Sequence, residues 1–195
     1  MRLRVIVILS LLFVFGCTSD KKNEAIRTGV YFDLVELLND QVEKFGREKP
    51  TLTKELSVNG EKETRTVKFD STSQWSEELQ LFYQADINKL GLEEAYITQE
   101  VSEGAGRNKV TDTAKTNKPV VRSIEYNYLN DNLESIRIIM RDENPVYKFE
   151  KELFLYFESN RKSPILKSFF INGDQNMLLK APLNYSLKAT IGNSL

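Results

Sequence analysis

Three carboxylates near the middle of the chain have a spacing that could serve acid–base chemistry. Glu77 and Glu78 follow a predicted helix start, and Asp86 lies further along the same predicted helix. Glycoside hydrolysis uses two carboxyl groups held roughly 5–10 Å apart across a sugar cleft, and a helix would hold such groups rigidly. Acidic residues in a first helical turn are also ordinary partners of the helix dipole, which is the interpretation we prefer.

Ser159 and Lys162 have the Ser-x-x-Lys spacing of some serine acyl-transfer enzymes. In those enzymes the serine begins a helix, so that the lysine one turn later reaches its hydroxyl. Here both residues fall in a predicted turn between strands, where polar side chains are expected. The pattern therefore indicates a solvated turn and carries no catalytic prediction.

A polar cluster of Asp86, Asn88 and Lys89 stands beside apolar neighbours at the end of the predicted second helix, which also carries Trp75. These four residues are the candidates for contact with a ligand or a partner. In the structural alternative, the cluster caps the helix and binds it to the sheet through a buried hydrogen-bond network, and Trp75 anchors the core. The sequence leaves both readings open, and the structural one is preferred.

The composition removes several kinds of site. The chain has no histidine and one cysteine, so the commonest general base and any Cys/His metal cluster are missing, and we expect no cofactor and no metal. The formal net charge is −1, which gives no general attraction to nucleic acid. Eleven Phe and eight Tyr argue for a folded chain with a real core.

The sole cysteine, Cys17, follows a short positive segment and an apolar run. Two arginines precede the apolar residues 5–15, and Gly16 stands directly before the cysteine. This order is that of a secretory signal peptide, and the run is too short for a membrane-spanning helix. The tetrapeptide 14–17 (Val-Phe-Gly-Cys) resembles a bacterial lipobox, in which Cys17 would be acylated and become the new N-terminus.

This pattern predicts a signal peptide over 1–16, a lipidated Cys17 with a polar tether to residue 24, and a single domain over 25–195. The expected partner is therefore a membrane, reached through a palmitate-bearing anchor at Cys17. The expected location is the bacterial cell envelope, at the periplasmic face of the outer membrane or at the cell surface.

Helical periodicity appears twice in the first half of the domain. One apolar stripe recurs at helical spacing, and we expect Gly46 to end that helix: Tyr31, Leu34, Val35, Leu38, Val42 and Phe45. A second helix should begin at the capping box of Ser71 and Gln74 and stop at Gly91. Between the helices, Asn59-Gly60 predicts a tight hairpin turn, and the many charged residues of this hairpin indicate either that one of its faces is solvated or that it lies at a sheet edge.

The second half reads as strands. Ile97 and Val101 belong to the first of these strands, and residues 102–118 are expected to form a mobile surface loop. From Val120 onward, alternating segments are separated by polar turns, one of them at residues 172–174. The predicted fold class is α+β: a mostly antiparallel β meander of about six to eight strands, which could be curved, packed with two helices from the N-terminal half.

Besides Cys17, three segments carry a wider similarity: Tyr31-Phe32-Asp33-Leu34, the stretch from Trp75 to Lys89, and the closing stretch from Leu178 to Tyr185. With these segments the chain resembles small cell-envelope lipoproteins of the Bacteroidota, a family of unknown function. The resemblance implies an envelope location and no activity. The function we expect is a non-enzymatic binding or assembly module that docks on an envelope protein. The alternatives are a carrier of an apolar ligand such as a lipid in a curved-sheet cavity, and a hydrolase that uses carboxylates.

Overall fold

The first helix begins three residues after Tyr31, with which the predicted helical stripe starts, and it ends later than predicted. In the computed structural model, which describes residues 28–158 and 163–192, helix α1 spans Leu34–Glu48. The Asp33 side chain caps it by accepting a hydrogen bond from the Glu36 amide at 2.7 Å. Gly46 does not end the helix, because Lys49 adopts the left-handed conformation instead and its amide donates to the Phe45 carbonyl. A side chain at Gly46 would overlap with the methyl group of Thr72, so the glycine permits close packing.

The segments expected over residues 1–27, including the signal peptide, Cys17 and the tether, lie outside the described residues. Ser159 and Lys162 also lie outside them.

In the described part of the chain, nine strands form a single antiparallel sheet. The strands are β1 Thr51–Val58, β2 Glu61–Lys68, β3 Tyr96–Gly104, β4 Arg107–Ala114, β5 Val121–Leu129, β6 Asn132–Glu143, β7 Tyr147–Phe157, β8 Leu166–Met177 and β9 Leu183–Ile191. Their order across the sheet is β2-β1-β9-β8-β7-β6-β5-β4-β3. The α+β class is therefore confirmed, but the strand number exceeds the expected six to eight. The hairpin of β1 and β2 is appended to the meander, because β1 pairs with β9.

The predicted second helix is two short helices, α2 Thr72–Glu78 and α3 Gln80–Gln84, separated at Leu79. The capping box of Ser71 and Gln74 is confirmed. Because α2 is so short, Glu77 and Glu78 stand at its C-terminal end, and the predicted interaction with the helix dipole is wrong. The helical structure stops at Gln84 rather than at Gly91, since the chain from Asp86 onward runs against the segment that precedes α1.

The prediction of a mobile loop over residues 102–118 is wrong. This stretch contains β4, which pairs with both β3 and β5. The turn between β3 and β4 has positive φ angles at Gly104, Ala105 and Gly106. The sequence shows no apolar alternation here, because Asn108 and Asp112 stand on the face of β4 that would carry apolar residues in an ordinary half-buried strand. A polar sequence therefore forms a regular strand.

The turn expected at residues 172–174 is also wrong, because these residues lie inside β8. Gly173 pairs with Tyr185 on β9, and the tyrosine ring occupies the space above the glycine. The chain reverses later, after Met177, where Leu179 has a φ of 66°. The polar tripeptide resembles a turn because a glycine that accommodates a neighbouring ring has the same sequence signature as a turn glycine.

All three helices lie on one side of the sheet, here called the inner face. Beneath the helices this face is filled by aliphatic and aromatic side chains that are fully buried: Leu52, Ile124, Ile136, Ile138, Leu153, Leu155, Leu166, Phe169 and Ala189. The opposite, outer face carries cross-strand ion pairs such as Arg141 with Glu150 at 2.7 Å. None of the described helices is long and apolar enough to cross a membrane.

Candidate functional site

The polar cluster of Asp86, Asn88 and Lys89 follows α3 and is hydrogen-bonded to the segment Thr28–Asp33, here called the leading segment. Asn88 is fully buried, and its side-chain oxygen accepts a hydrogen bond from the Tyr31 amide at 2.8 Å. Its side-chain nitrogen donates to the carbonyls of Tyr31 and Phe32, both at 3.0 Å. The Asn88 carbonyl accepts from the Thr28 amide at 3.1 Å. Asn88 thus supplies the backbone of this segment with the hydrogen-bond partners that a neighbouring strand would provide.

The neighbours of Asn88 are engaged inside the domain as well. Asp86 is buried, and its carboxylate accepts a hydrogen bond from the Asn88 amide at 3.0 Å. The Lys89 ammonium donates to the Gln84 carbonyl at 2.9 Å, near the end of α3. The cluster therefore joins the helices to the leading segment, whereas the structural alternative expected it to join a helix to the sheet.

Trp75, the fourth candidate residue, has no exposed surface. Its indole packs against the rings of Phe45 at 4.6 Å and Phe69 at 5.0 Å between centroids. It links α2 to α1 and to the end of the β1–β2 hairpin, which is the position of a core anchor.

The Tyr31 side chain of the leading segment reaches the start of the free edge of β3. The Tyr31 hydroxyl donates to the carbonyls of Leu92 and Glu93 and accepts from the Tyr96 amide at 3.3 Å. On the other side of the strand, the Ala95 carbonyl accepts from Lys115, so odd-numbered residues of β3 bond to β4. The backbone groups of Thr98, Glu100 and Ser102 therefore face outward, and within the described residues no strand pairs with them.

Two aliphatic side chains stand exposed along this edge. Ile97 and Val101 are 50% and 51% exposed and share the outer face of β3 with Gln99. The sequence pattern marked Ile97 and Val101 as strand residues but not as exposed ones. The polar sequence of the partner strand β4 was the one available sign of this exposure. A neighbour with few apolar side chains offers little surface against which Ile97 and Val101 could be buried.

A buried carboxylate lies next to the edge on the inner face. Asp112 is 2% exposed, and its carboxylate accepts a hydrogen bond from the Thr98 hydroxyl at 2.5 Å. Burial raises the pKa of the Asp112 carboxyl, and the hydroxyls of Thr98 and Tyr126 partly offset that rise. Burial also raises the pKa of Tyr126 well above its usual value, and the nearby Asp112 carboxylate adds to that effect. The sequence does not indicate this group, because residues 102–118 have the polar composition of a loop.

Of the three carboxylates considered for glycoside chemistry, Glu77 and Glu78 lie on α2, whereas Asp86 lies beyond the end of α3. Glu78 forms an ion pair with Lys54 at 2.9 Å, and Glu77 lines an open cleft between α1 and the two short helices, with a volume of about 840 Å³. Asp86 is buried beyond α3. In the described ranges, no group of three or more acidic, cysteine or histidine residues is placed to hold a metal ion.

Comparison with known proteins found no family model that matches this chain and no curated protein detectably similar to it in sequence.

Proposed function

We propose that this chain is a lipid-anchored cell-envelope protein whose β domain is a non-enzymatic binding or assembly module. The anchor is Cys17, and the docking site is the free edge of β3. The observation that carries the docking proposal is this edge, with outward backbone groups and exposed Ile97 and Val101. Strands with unpaired backbone groups readily add another strand, because main-chain hydrogen bonds supply affinity and alternate side chains supply specificity.

The position of the leading segment supports an anchor close to this edge. Thr28 is hydrogen-bonded to Asn88, so eleven residue steps separate Cys17 from the described domain. A chain of that length spans at most about 38 Å when fully extended. The β3 edge would therefore lie within a few tens of ångströms of the membrane to which Cys17 is attached.

The anchor is tested by metabolic labelling with palmitate in an envelope-competent bacterial host. The wild-type chain should incorporate label and sediment with membranes, and Cys17→Ala should do neither. Thr18→Ala is the matched control, since it changes the adjacent residue and leaves the acceptor thiol. Unchanged labelling of Cys17→Ala would refute the anchor.

A carrier of an apolar ligand is the second candidate, and it rests on part of the inner face. Leu56 is 38% exposed there and pairs with the partly buried Leu187, and the same face also carries the partly buried Tyr185 and Phe149. The Lys151 ammonium lies 4.8 Å from the centre of the Phe149 ring, and burial lowers its pKa. A curved sheet could enclose an acyl chain at this place, with Lys151 facing an acidic headgroup.

Native mass spectrometry of the anchored protein, released from membranes in mild detergent, separates the two functions. A co-purifying acyl ligand that disappears in Lys151→Met would establish the carrier. A mass without ligand, in wild type and variant alike, would favour the docking module.

A further inference from the structure

The two edges of the sheet differ in how they are protected against pairing. On β2, five of eight residues are charged, and every residue except Val67 is exposed. On β3 there is no lysine or arginine, and of its two glutamates, Glu103 is already paired with Lys109 at 2.9 Å. Charged side chains, lysine above all, are the usual device that keeps edges apart. Edge β3 therefore lacks the protection that β2 has.

We infer that β3 pairs with β3 of a second copy of this chain, antiparallel about a two-fold axis at Gln99. This inference rests on the proposed docking role of the edge and names its partner. In this register Thr98 faces Glu100 of the other copy, and each supplies outward backbone groups. Four hydrogen bonds form between the copies.

The side chains fit this register. On the outer face, Ile97 of each copy stands opposite Val101 of the other, so two aliphatic pairs form across the interface and cover both exposed side chains of each copy. Gln99 meets its own symmetry mate at the axis. On the inner face no glutamate stands directly opposite a glutamate, although the two Glu100 side chains lie on a diagonal and oppose tight association.

Neighbouring registers are less favourable. A two-fold axis at Glu100 opposes the two Glu100 carboxylates directly and separates Ile97 from Val101. An axis at Thr98 needs the amide of Tyr96, which already donates to the Tyr31 hydroxyl. Of these three registers, the one centred on Gln99 alone pairs both aliphatic side chains, and it uses the free amides of Thr98 and Glu100. The pairing ends at Val101, because Ser102 faces the Tyr96 amide that Tyr31 already occupies.

The symmetry also suits two chains attached to one membrane. A two-fold axis between antiparallel strands stands perpendicular to the sheet, so both copies present the inner face to the same side. Tyr31 of each leading segment contacts the start of its own β3, so both tethers can reach the same surface. Attachment to a shared membrane raises the effective concentration of one edge near the other.

The test is disulfide cross-linking in membranes that carry the full chain with Gln99→Cys. Facing residues of a non-hydrogen-bonded pair have Cα atoms about 4.5 Å apart, within the range for a disulfide. Mild oxidation should give a disulfide-linked homodimer. Thr113→Cys is the matched control, because it is exposed on the outer face of β4, one strand away, and should give none. The unsubstituted chain reports any cross-link through Cys17.

The register is tested by mixing chains. Ile97→Cys co-expressed with Val101→Cys should cross-link, and Ile97→Cys alone should not. Ile97→Lys, added to Gln99→Cys, removes two apolar pairs and should weaken self-association about tenfold. Glu100→Gln, added to Gln99→Cys, should raise the cross-linked fraction. The emission of the single tryptophan, Trp75, verifies that each variant is folded.

Equal cross-linking of Gln99→Cys and Thr113→Cys, or none with Gln99→Cys, would overturn the inference. A cross-link from Gln99→Cys to a different protein would also overturn it and would instead support the docking of a foreign strand. If cross-linking fails while palmitate labelling is unchanged, the pairing is refuted and the proposed anchor at Cys17 is still supported. Failure of labelling with cross-linking intact leaves the pairing standing, so the two proposals fail separately.

Discussion

Replacing Asn88 by alanine should cost far more stability than removing an ordinary polar side chain. The residue is fully buried and makes three side-chain hydrogen bonds, all to the backbone of Tyr31 and Phe32. The substitution leaves one amide and two carbonyls of the leading segment without partners. It also loosens Phe32, whose ring packs 4.7 Å from that of Tyr126.

The magnitude follows from the bond count. A typical intramolecular hydrogen bond contributes about 1 kcal/mol net, so the three bonds of Asn88 correspond to a loss of about 3 kcal/mol. Asn88→Asp should lose at least as much, because the carboxylate keeps the acceptor for the Tyr31 amide but faces two carbonyls without a donor. Asn39→Ala is the matched control. Its oxygen accepts one exposed hydrogen bond from the Tyr83 hydroxyl, and its loss should stay within about 0.5 kcal/mol.

The assay is urea unfolding followed by the emission of Trp75, the only tryptophan, which is buried in the folded state. Hydrogen exchange at the Tyr31 amide gives a local readout, and its protection should fall in Asn88→Ala even in the absence of urea. A loss below about 1 kcal/mol, with protection of Tyr31 unchanged, would refute the idea that Asn88 holds the leading segment.

Three further changes test other parts of the structure. Because burial raises the folded-state pKa of Asp112, its ionised form destabilises the fold; Asp112→Asn should raise the Tm at neutral pH, and the difference should shrink as pH falls toward the ordinary value of 3.8. A Cβ at Gly173 would overlap with the Tyr185 ring, so Gly173→Ala should cost about 1–3 kcal/mol in urea unfolding, and much less in a Tyr185→Ala background. Ser71→Ala removes the α2 cap and should cost about 1 kcal/mol, and no measurable loss would show that the cap is dispensable.

Where the sequence carried a complete local signal, the fold could be predicted. The turn at Asn59-Gly60 has positive φ at both positions, as that dipeptide favours. The capping box of Ser71 and Gln74 likewise formed as expected, because all its partners lie within one helical turn. In each case the signal and the structure it specifies are only a few residues apart.

Predictions failed where a distant partner decided the outcome. Gly46 resembles a helix end, yet it is a contact point for Thr72 on another helix. The polar strand β4 is regular because β3 and β5 pair with it from both sides, and the residues of β4 itself do not predict this pairing. The candidate site could not be predicted from the sequence for the same reason, because the exposure of Ile97 and Val101 depends on which strands lie beside β3.

Tyr31 connects the start of the domain to the free edge. Asn88 fixes the backbone of Tyr31 through hydrogen bonds. The Tyr31 hydroxyl accepts a hydrogen bond from the Tyr96 amide, which is the first outward donor of β3. The free part of the edge therefore begins at Thr98, two residues after the strand itself begins. That shortening removes the register centred on Thr98 and leaves the one that covers both aliphatic side chains. The contact that anchors the leading segment thus also selects how an incoming strand can bind, because one hydroxyl cannot hold the Tyr96 amide and release it to a partner at the same time.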